Sequence, residues 1–248
     1  MSGAHAIVRM LVLIAVTFLV MKVVVVAVTG TRLTPRQWLA FAGWFGMRPA
    51  LFAQPRRAGF PPASWRPGVL AMLAGVALLL LARTIGSPIL AFVLALPALS
   101  LILHFGIIDL ATALYRRSGW PVSAPFRNPL ASRSLSEFWS RRWNVGFSEM
   151  IAVTVHRPLR RVAGEPAALF ASFLASGLLH EIAISVPVNA GYGLPTLYFL
   201  LHGALAAIER RFPHVASRGW TLFWLAAPLP ILFHPPFVRG IVWPLVGL

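Results

Sequence analysis

The stretch AALFASFLASGLLHEIAISV, residues 167–186, is long and apolar enough to cross a lipid bilayer as a single helix. A helix of about 20 apolar residues spans the hydrocarbon core, because each residue adds about 1.5 Å along the axis. The stretch also contains His180 and Glu181, which are adjacent and ionisable. An ionisable side chain in the middle of a bilayer costs roughly 3 kcal/mol or more, so such residues usually have a functional role. The stretch therefore predicts both a membrane helix and a site within it.

The composition of the whole chain also indicates a membrane protein. Of its 248 residues, 58% are hydrophobic and 11% are charged, and the mean hydropathy is +0.77. Soluble domains carry about 25% charged residues. We therefore predict an all-α, polytopic integral membrane protein that forms a single domain over residues 1–248. The chain has no cysteine, which excludes disulfide bonds, thiol nucleophiles and thiolate metal sites.

Apolar segments separated by basic or proline-containing loops predict about six transmembrane helices. The predicted spans are residues 7–28, 69–85, 89–108, 167–186, 194–208 and 221–233. The last of these is the weakest, because four prolines lie within it or just after it. A shorter apolar segment, residues 151–155, is followed by several arginines and is predicted to be interfacial or re-entrant.

The basic residues are distributed unevenly between the predicted loops. Of the 22 lysines and arginines, 18 lie in three loops, residues 29–68, 109–166 and 209–220. The alternate loops, residues 86–88 and 187–193, contain none. Because cytoplasmic loops are enriched in Lys and Arg, the three basic loops are predicted to face the cytoplasm.

A net charge of +16 is also typical of proteins that bind nucleic acid. Here the arginines fall between apolar segments, so we predict no nucleic-acid partner. We expect the arginines to set the topology and to meet membrane lipids or a phosphate-bearing substrate. All but one of the basic residues are arginine, which suggests a genome rich in G and C, and the predicted location is a bacterial inner (cell) membrane.

His180 lies on a small, polar face of its predicted helix. Residues four apart stack on one face, which aligns Ser172, Ser176 and His180, with Gly177 beside them. Such a face is able to line a cavity next to the imidazole. The simpler alternative is a histidine that bonds a neighbouring helix, with the serines as small packing residues. The adjacent Glu181 makes packing alone a weaker explanation.

A second motif, SLSEFWSRRWN over residues 134–144, combines aromatic and basic residues. Its serines predict a helix N-cap, and Trp139 and Trp143 are then stacked one turn apart. Tryptophan with arginine is typical of a membrane interface, where the rings lie at headgroup level and the charges reach water. Asn144 is not required by such an anchor and is therefore a candidate functional residue.

Together the two motifs resemble those of the wax synthase branch of the membrane-bound O-acyltransferase (MBOAT) family. In one motif the matching residues are Ser134, Leu135, Phe138, Trp139, Arg141, Arg142, Trp143 and Asn144. In the other they are Phe173, Ser176, Gly177, Leu178, His180 and Glu181. The resemblance covers about residues 125–185. It implies an MBOAT-like fold and transfer of a fatty acyl group from acyl-CoA to a hydroxyl, most simply that of a long-chain alcohol.

The resemblance implies that His180 is the catalytic base and Asn144 the second catalytic residue. A neutral imidazole takes the proton of an attacking hydroxyl, which is typically worth about 10²–10⁴-fold in rate. An amide supports the thioester carbonyl or its oxyanion. The remaining implied site residues support catalysis (Glu181, Trp143, Ser176) or bind acyl-CoA (Arg141, Arg142, Trp139). The expected substrates are acyl-CoA and a lipid-soluble hydroxyl acceptor, with no other cofactor and no metal.

Two other functions would use the same residues. In a proton-coupled transporter or channel, His180 and Glu181 form a proton relay, and polar residues are expected in several spans. In a metal-dependent intramembrane hydrolase, a second histidine is expected four residues after His180, but that residue is Ile184. The sequence also leaves the acceptor open among long-chain alcohols, diacylglycerols, sterols and hydroxylated metabolites.

Overall fold

The computed structural model describes residues 3–54 and 63–247, and every regular element within them is helical. The all-α prediction is therefore confirmed for this part of the chain. The α-helices are α1 (Gly3–Thr29), α2 (Pro35–Ala42), α3 (Ala50–Ala53), α4 (Arg66–Thr84), α5 (Pro88–Ser100), α6 (Ile108–Arg117), α7 (Leu135–Glu137), α8 (Val145–Ile151), α9 (Arg157–Val188), α10 (Leu194–Arg211), α11 (Arg218–Ala226), α12 (Leu229–Leu232), α13 (Pro235–Phe237) and α14 (Trp243–Val246). Within the same residues, π-helical turns occur at Leu101–Ile107, Phe138–Arg142, Ala152–His156 and Val238–Val242.

Several helical segments are long and apolar enough to cross a membrane. In the described ranges they are Gly3–Thr29, Arg66–Thr84, Pro88–Arg117 and Val145–Val188. The pair Arg218–Leu232 and Pro235–Val246, bent by 72°, makes a fifth if it counts as one broken span. A multi-pass membrane protein is therefore confirmed, whereas the predicted count of about six spans is not.

The two predicted spans nearest the C-terminus do not form single candidate spans in the structure, because of charged residues in one and prolines in the other. The fifth is present as the helix α10, but it has 18 residues and ends in three charged ones, so it is not among the candidate spans. The sixth is interrupted by prolines, because α11 ends at Ala226 and α12 is a separate turn.

Much of the basic loop predicted over residues 109–166 is helical. The third predicted span continues past residue 108, because a π turn joins α5 to α6. Residues 151–155 comprise the last residue of α8 and most of the π turn Ala152–His156, and they lie inside the run Val145–Val188. Their interfacial or re-entrant placement stays a prediction. This run breaks at Gly164, whose φ of 81° and ψ of 175° suit glycine and lie far from helical values.

The contacts group the chain into two compact units, and the prediction of one domain stays a prediction. The first unit contains α1 and Arg127–Pro244. In it, α9 and α10 pack side by side, and a Cβ atom on Gly177 would lie only 2.7 Å from Cα of Thr196. A Cβ atom on Gly203 would lie 3.1 Å from the side chain of Phe173. The small residues thus let the two helices approach closely.

The second unit contains Thr31–Phe126 and the C-terminal residues from Leu245. Here α4 packs along α5, and a Cβ atom on Gly75 would lie 2.8 Å from the carbonyl oxygen of Ala98. All the residues predicted for the functional site lie in the first unit.

Candidate active site

A cavity of about 330 Å³ opens within the first unit, among the π turn Phe138–Arg142, α8, α9 and α10. Five of the eight predicted site residues line it, namely Trp139, Trp143, Asn144, Ser176 and His180. The lining residues that were not predicted as site residues are Ser136, Ser140, Phe147, Ser148, Ile151, Ala152, His156, Leu169, Ser172, Phe173, Phe199, Ala206 and Arg210. The two motifs are separate in the sequence, with Asn144 and His180 36 positions apart, and they meet at one cavity.

One ring nitrogen of His180 is hydrogen-bonded to the backbone of its own helix, and the other is free. Its Nδ1 lies 2.7 Å from the carbonyl oxygen of Ser176, one turn earlier. Because a carbonyl oxygen only accepts hydrogen bonds, Nδ1 carries the proton and donates it. Nε2 makes no hydrogen bond with any described residue and keeps access to the cavity that His180 lines. In the neutral imidazole, Nε2 is then the nitrogen that is able to accept a proton.

Aromatic rings and a row of serines surround the imidazole. The ring of Phe199 on α10 lies 4.2 Å from that of His180, between centroids, and the ring of Phe147 on α8 lies 6.1 Å away. The hydroxyls of Ser172 and Ser176 each donate to the carbonyl oxygen four residues earlier, at 2.7 and 2.9 Å. The polar face predicted from the spacing of these residues is therefore present and lines the cavity.

Asn144 caps the short helix α8 and leaves its amide nitrogen unbonded. Its backbone is left-handed, with φ 43° and ψ 56°, a conformation that Asn adopts more readily than most residues. Its Oδ1 accepts a hydrogen bond from the backbone N–H of Phe147 at 3.3 Å. Its Nδ2 group makes no hydrogen bond with the described residues, so the amide presents two donors at the cavity wall. Asn144 is thus the N-cap of α8, a structural role that the sequence analysis did not predict.

The motif that contains Asn144 begins at a helix N-cap, as its serines predict. The hydroxyl of Ser134 accepts a hydrogen bond from the backbone N–H of Glu137 at 2.9 Å. The carboxylate of Glu209 on α10 accepts the backbone N–H groups of Leu135 and Ser136 at 2.8 and 3.2 Å. These contacts hold the start of the motif against α10, the same helix that carries Phe199.

The two tryptophans of this motif are not arranged as predicted. The chain turns through a π helix at Phe138–Arg142, and Trp143 stacks on Phe138 with centroids 5.5 Å apart instead of stacking on Trp139. The prediction that the two tryptophans stack one turn apart on a regular helix was therefore wrong.

A second feature of Trp139 is an unpaired indole N–H. The indole N–H of Trp139 and Nδ1 of His202 are buried and have no hydrogen-bond partner among the described residues. Their rings lie 5.6 Å apart.

Glu181 follows His180 in the sequence but faces the neighbouring helix. Its Oε1 accepts the backbone N–H of Gly193 at 2.9 Å, and both the backbone N–H and the hydroxyl of Thr196 at 3.0 and 2.9 Å. The first N–H groups of a helix have no partner within the helix, so the carboxylate caps α10. Its Oε2 is buried without a hydrogen-bond partner in the described part of the chain. Glu181 therefore positions α10 and does not line the cavity.

The two arginines predicted to bind acyl-CoA do not line the cavity either. Arg142 pairs with Glu137 at 2.7 Å, and its guanidinium also donates to two backbone carbonyls at 3.2 and 3.4 Å. A hydrogen bond from the backbone of Arg133, together with the Arg142 pair, lowers the pKa of the Glu137 carboxyl below its ordinary value of 4.5. Arg141 is exposed and makes no hydrogen bond or ion pair with the described residues.

Two basic cavity residues were missed by the sequence reasoning. His156 ends the π turn Ala152–His156, and Arg210 lies in the last turn of α10. They are far apart in the sequence, so no local pattern indicates that they share a cavity. Among residues 3–54 and 63–247, no three His, Asp or Glu side chains are grouped so that they could hold a metal ion.

Most of the cavity lining, all of it except Ala206 and Arg210, lies in a segment that matches a known class of membrane enzymes. Residues 120–201 match the model of the membrane bound O-acyl transferase family. This segment contains both motifs, so the resemblance predicted from them is confirmed, and this third of the chain is related to that family.

Curated relatives place the resemblance in one branch of the family. The chain is 30% identical over 145 residues to the probable long-chain-alcohol O-fatty-acyltransferase 7 of Arabidopsis thaliana, covering 49% of this chain and 42% of the relative. It is 32% identical over 110 residues to the long-chain-alcohol O-fatty-acyltransferase of Simmondsia chinensis, covering 40% and 31%. It is 29% identical over 167 residues to the acyl-CoA–sterol O-acyltransferase 1 of Arabidopsis thaliana, covering 59% and 48%. The chain covers less than half the length of each of these relatives.

Proposed function

We propose that this protein transfers a fatty acyl group from acyl-CoA to the hydroxyl of a lipid-soluble alcohol, most simply a long-chain alcohol. The observation that carries the proposal is the state of His180, whose Nδ1 donates to the carbonyl of Ser176 while Nε2 stays free at the cavity. The amide of Asn144, which lines the same cavity, supplies a hydrogen-bond donor. A base and an oxyanion donor at one apolar cavity are what direct acyl transfer to an alcohol requires.

The proposed reaction proceeds in two steps without a covalent acyl-enzyme. The hydroxyl proton moves to Nε2 of His180 as the alcohol oxygen attacks the carbonyl carbon of the thioester. The carbonyl electrons move to its oxygen, and the resulting oxyanion accepts a hydrogen bond from Nδ2 of Asn144. When the carbonyl re-forms, the carbon–sulfur bond breaks, and the imidazolium returns its proton to the leaving thiolate. The products are an ester and the free thiol of coenzyme A.

The roles of the remaining residues follow from their contacts. Glu181 holds the start of α10, and α10 places Phe199 against the imidazole. For the phosphates of acyl-CoA, Arg141 has a free guanidinium, whereas that of Arg142 is already paired with Glu137. The indole of Trp139 lines the cavity and is proposed to contact the donor.

The predicted membrane location and the alternative transporter function are treated differently by the comparisons with known proteins. A bacterial inner membrane remains our prediction, drawn from the arginine-rich composition alone, and the relatives reported above are plant proteins. Those relatives are named as acyltransferases, and none of the three is named as a transporter, so we do not carry the proton-relay alternative further.

The test is ester formation by membranes that contain the protein. Membranes are incubated with labelled palmitoyl-CoA and, separately, hexadecanol, a sterol and a diacylglycerol, and the products are identified. We expect a labelled ester with at least one acceptor, and a loss of about 10²–10⁴-fold in His180→Ala because the base is removed. His214→Ala is the control, since His214 is exposed and does not line the cavity. A folded His180→Ala protein that keeps more than a few per cent of the activity would contradict the assignment.

A further inference from the structure

Three side chains from separate stretches of the chain meet at one side of the cavity. The Glu165 carboxylate oxygen Oε1 lies 2.5 Å from Nη1 of Arg210 and 3.4 Å from Nε2 of His156. Arg210 and His156 line the cavity, whereas Glu165 does not. The Arg210 guanidinium thus donates a hydrogen bond to this carboxylate oxygen, and the imidazole of His156 lies beside it.

The backbone around Glu165 is not regular helix, and the carboxylate approaches Arg210 and His156 without lining the cavity itself. Gly164, with φ 81° and ψ 175°, interrupts the helical run directly before it, and Pro166 follows. The side chains of Glu165 and Arg210 are 43% and 45% exposed. Ion pairs at this exposure contribute little to stability, so an anion that carries more negative charge is able to displace the carboxylate.

The surrounding charge favours an anion with more than one negative charge. The stretch HRPLRRVAGEP, residues 156–166, contains three arginines, one histidine and a single acidic residue. Arg160 adds a further positive charge close enough to act on Glu165. A guanidinium matches the oxygens of a phosphate with two parallel hydrogen bonds, and a phosphate group offers more acceptor oxygens than a carboxylate.

We infer that Arg210 and His156 form a binding site for a phosphate ester at the cavity, and that Glu165 competes with the phosphate for this site. The identity of the ligand rests on the proposed function, because a donor that carries both a thioester and phosphates is an acyl-CoA. Glu165 then acts as an internal counter-ion that the coenzyme displaces when it binds. This site differs from the Arg141 and Arg142 pair, which lies outside the cavity lining.

The test measures binding of free coenzyme A to the purified protein in nanodiscs of phosphatidylcholine, by calorimetric titration. We expect Arg210→Gln to bind roughly tenfold more weakly, because it loses a charged hydrogen bond. We expect Glu165→Gln to bind about two- to fivefold more tightly, because the competing charge is removed. Arg211→Gln is the matched control. Arg211 is the next residue of the same helix, its guanidinium lies 5.7 Å from the Phe212 ring, and it does not line the cavity.

Two results of this titration would overturn the inference. Equal weakening in Arg210→Gln and Arg211→Gln would show that only the overall charge matters. A Glu165→Gln protein that binds no more tightly than the natural sequence would show that Glu165 does not compete. Thermal unfolding of each variant reports its folding. If Arg210→Gln does not fold, Arg210→Lys takes its place, for which unchanged binding is the contradicting result, because lysine lacks the planar pair of donors.

A kinetic comparison separates this site from the acyl-transfer proposal. S-palmitoyl pantetheine has the same thioester as palmitoyl-CoA but no phosphate. Arg210→Gln is expected to raise KM for palmitoyl-CoA and to leave KM for the pantetheine thioester unchanged. Binding of coenzyme A that depends on Arg210, without ester formation from any alcohol, would support the site and refute the transfer. If esters form from both acyl donors and Arg210→Gln changes the two KM values equally, the phosphate site is refuted and the acyl transfer is supported.

The phosphate of an anionic lipid headgroup is the other source of this ligand chemistry. Repeating the titration in nanodiscs that contain phosphatidylglycerol distinguishes the two sources. If phosphatidylglycerol weakens the binding of coenzyme A, and the Arg210 and Glu165 variants change both this weakening and the affinity for coenzyme A, the site takes phosphate esters as inferred. If the variants change only the weakening by phosphatidylglycerol and not the affinity for coenzyme A, the assignment to coenzyme A is overturned.

Discussion

Exchanging Asn144 for aspartate separates the two roles that the structure gives this residue. The Oδ1 atom caps α8 by accepting the N–H of Phe147, and the Nδ2 group is left to donate into the cavity. Aspartate keeps the accepting oxygen and is as good an N-cap as asparagine. It loses the donor and adds a negative charge that repels an oxyanion. The exchange therefore removes the proposed chemistry and leaves the cap in place.

The expected sizes of the effects follow from the cap and the left-handed backbone. Loss of one oxyanion donor costs about 10²–10³-fold in kcat, or roughly 2.7–4 kcal/mol. Asn144→Asp should show this loss with a stability change of less than about 0.5 kcal/mol, as expected for two equivalent caps. Asn144→Ala should lose the same activity. It should also lose about 1 kcal/mol from the missing cap, and further stability because alanine adopts the left-handed region less readily than asparagine does. Asn144→Gly should fall between them in stability, because glycine adopts this backbone freely.

The assay measures kcat with saturating palmitoyl-CoA and alcohol, alongside thermal unfolding in the same detergent. Activity should be low in all three variants, whereas the unfolding temperature should fall clearly only for Asn144→Ala. If activity instead follows stability, with Asn144→Asp and Asn144→Gly near the natural protein, the amide acts only as a cap. The oxyanion assignment would then be wrong, while the base assignment of His180 would be unaffected.

Three further predictions concern the scaffold. Gly177→Ala should reduce the yield of folded protein, because the added Cβ atom would lie 2.7 Å from Cα of Thr196. The control is Gly219→Ala, whose Cβ atom meets nothing within 4 Å, so its effect on stability should be neutral or favourable. Glu181→Ala should lower the unfolding temperature more than Glu181→Gln, because glutamine keeps a carbonyl oxygen that accepts the N–H groups at the start of α10. The lowered pKa of Glu137 means that its pairing stabilises the fold above pH 4.5 and that this contribution is lost as the pH falls through the lowered pKa. Unfolding temperatures measured between pH 6 and pH 3 should therefore fall less steeply in Glu137→Gln than in the natural protein.

Local spacing predicted the part of the site that lies on one helix. The alignment of Ser172, Ser176 and His180 follows from the helical repeat alone, and it is present in the structure. The N-cap at Ser134 likewise follows from residue type and position. The resemblance of the two motifs to those of the MBOAT family implied that Asn144 and His180 belong to one site, and both residues line the cavity.

Features that depend on contacts between distant segments were not predictable in this way. The π turn at Phe138–Arg142 changes the direction of Trp143, and it leaves no mark in the periodicity of apolar residues. The engagement of Arg142 by Glu137, five residues earlier, does not follow the spacing of a regular helix. The meeting of Arg210 with Glu165 depends on how α9 and α10 pack together.

The hydrogen bond from His180 to the carbonyl of Ser176 bears on how the proposed acyltransferase site is able to change. In a Ser-His-Asp arrangement, an acid from another segment orients the histidine, so two segments must change in concert. Here a single turn of one helix sets the tautomer. Substitutions at Phe147 and Phe199 are then free to reshape the pocket around a different alcohol. Under the proposed function, such substitutions change the acceptor preference while the proposed proton transfer to His180 is kept.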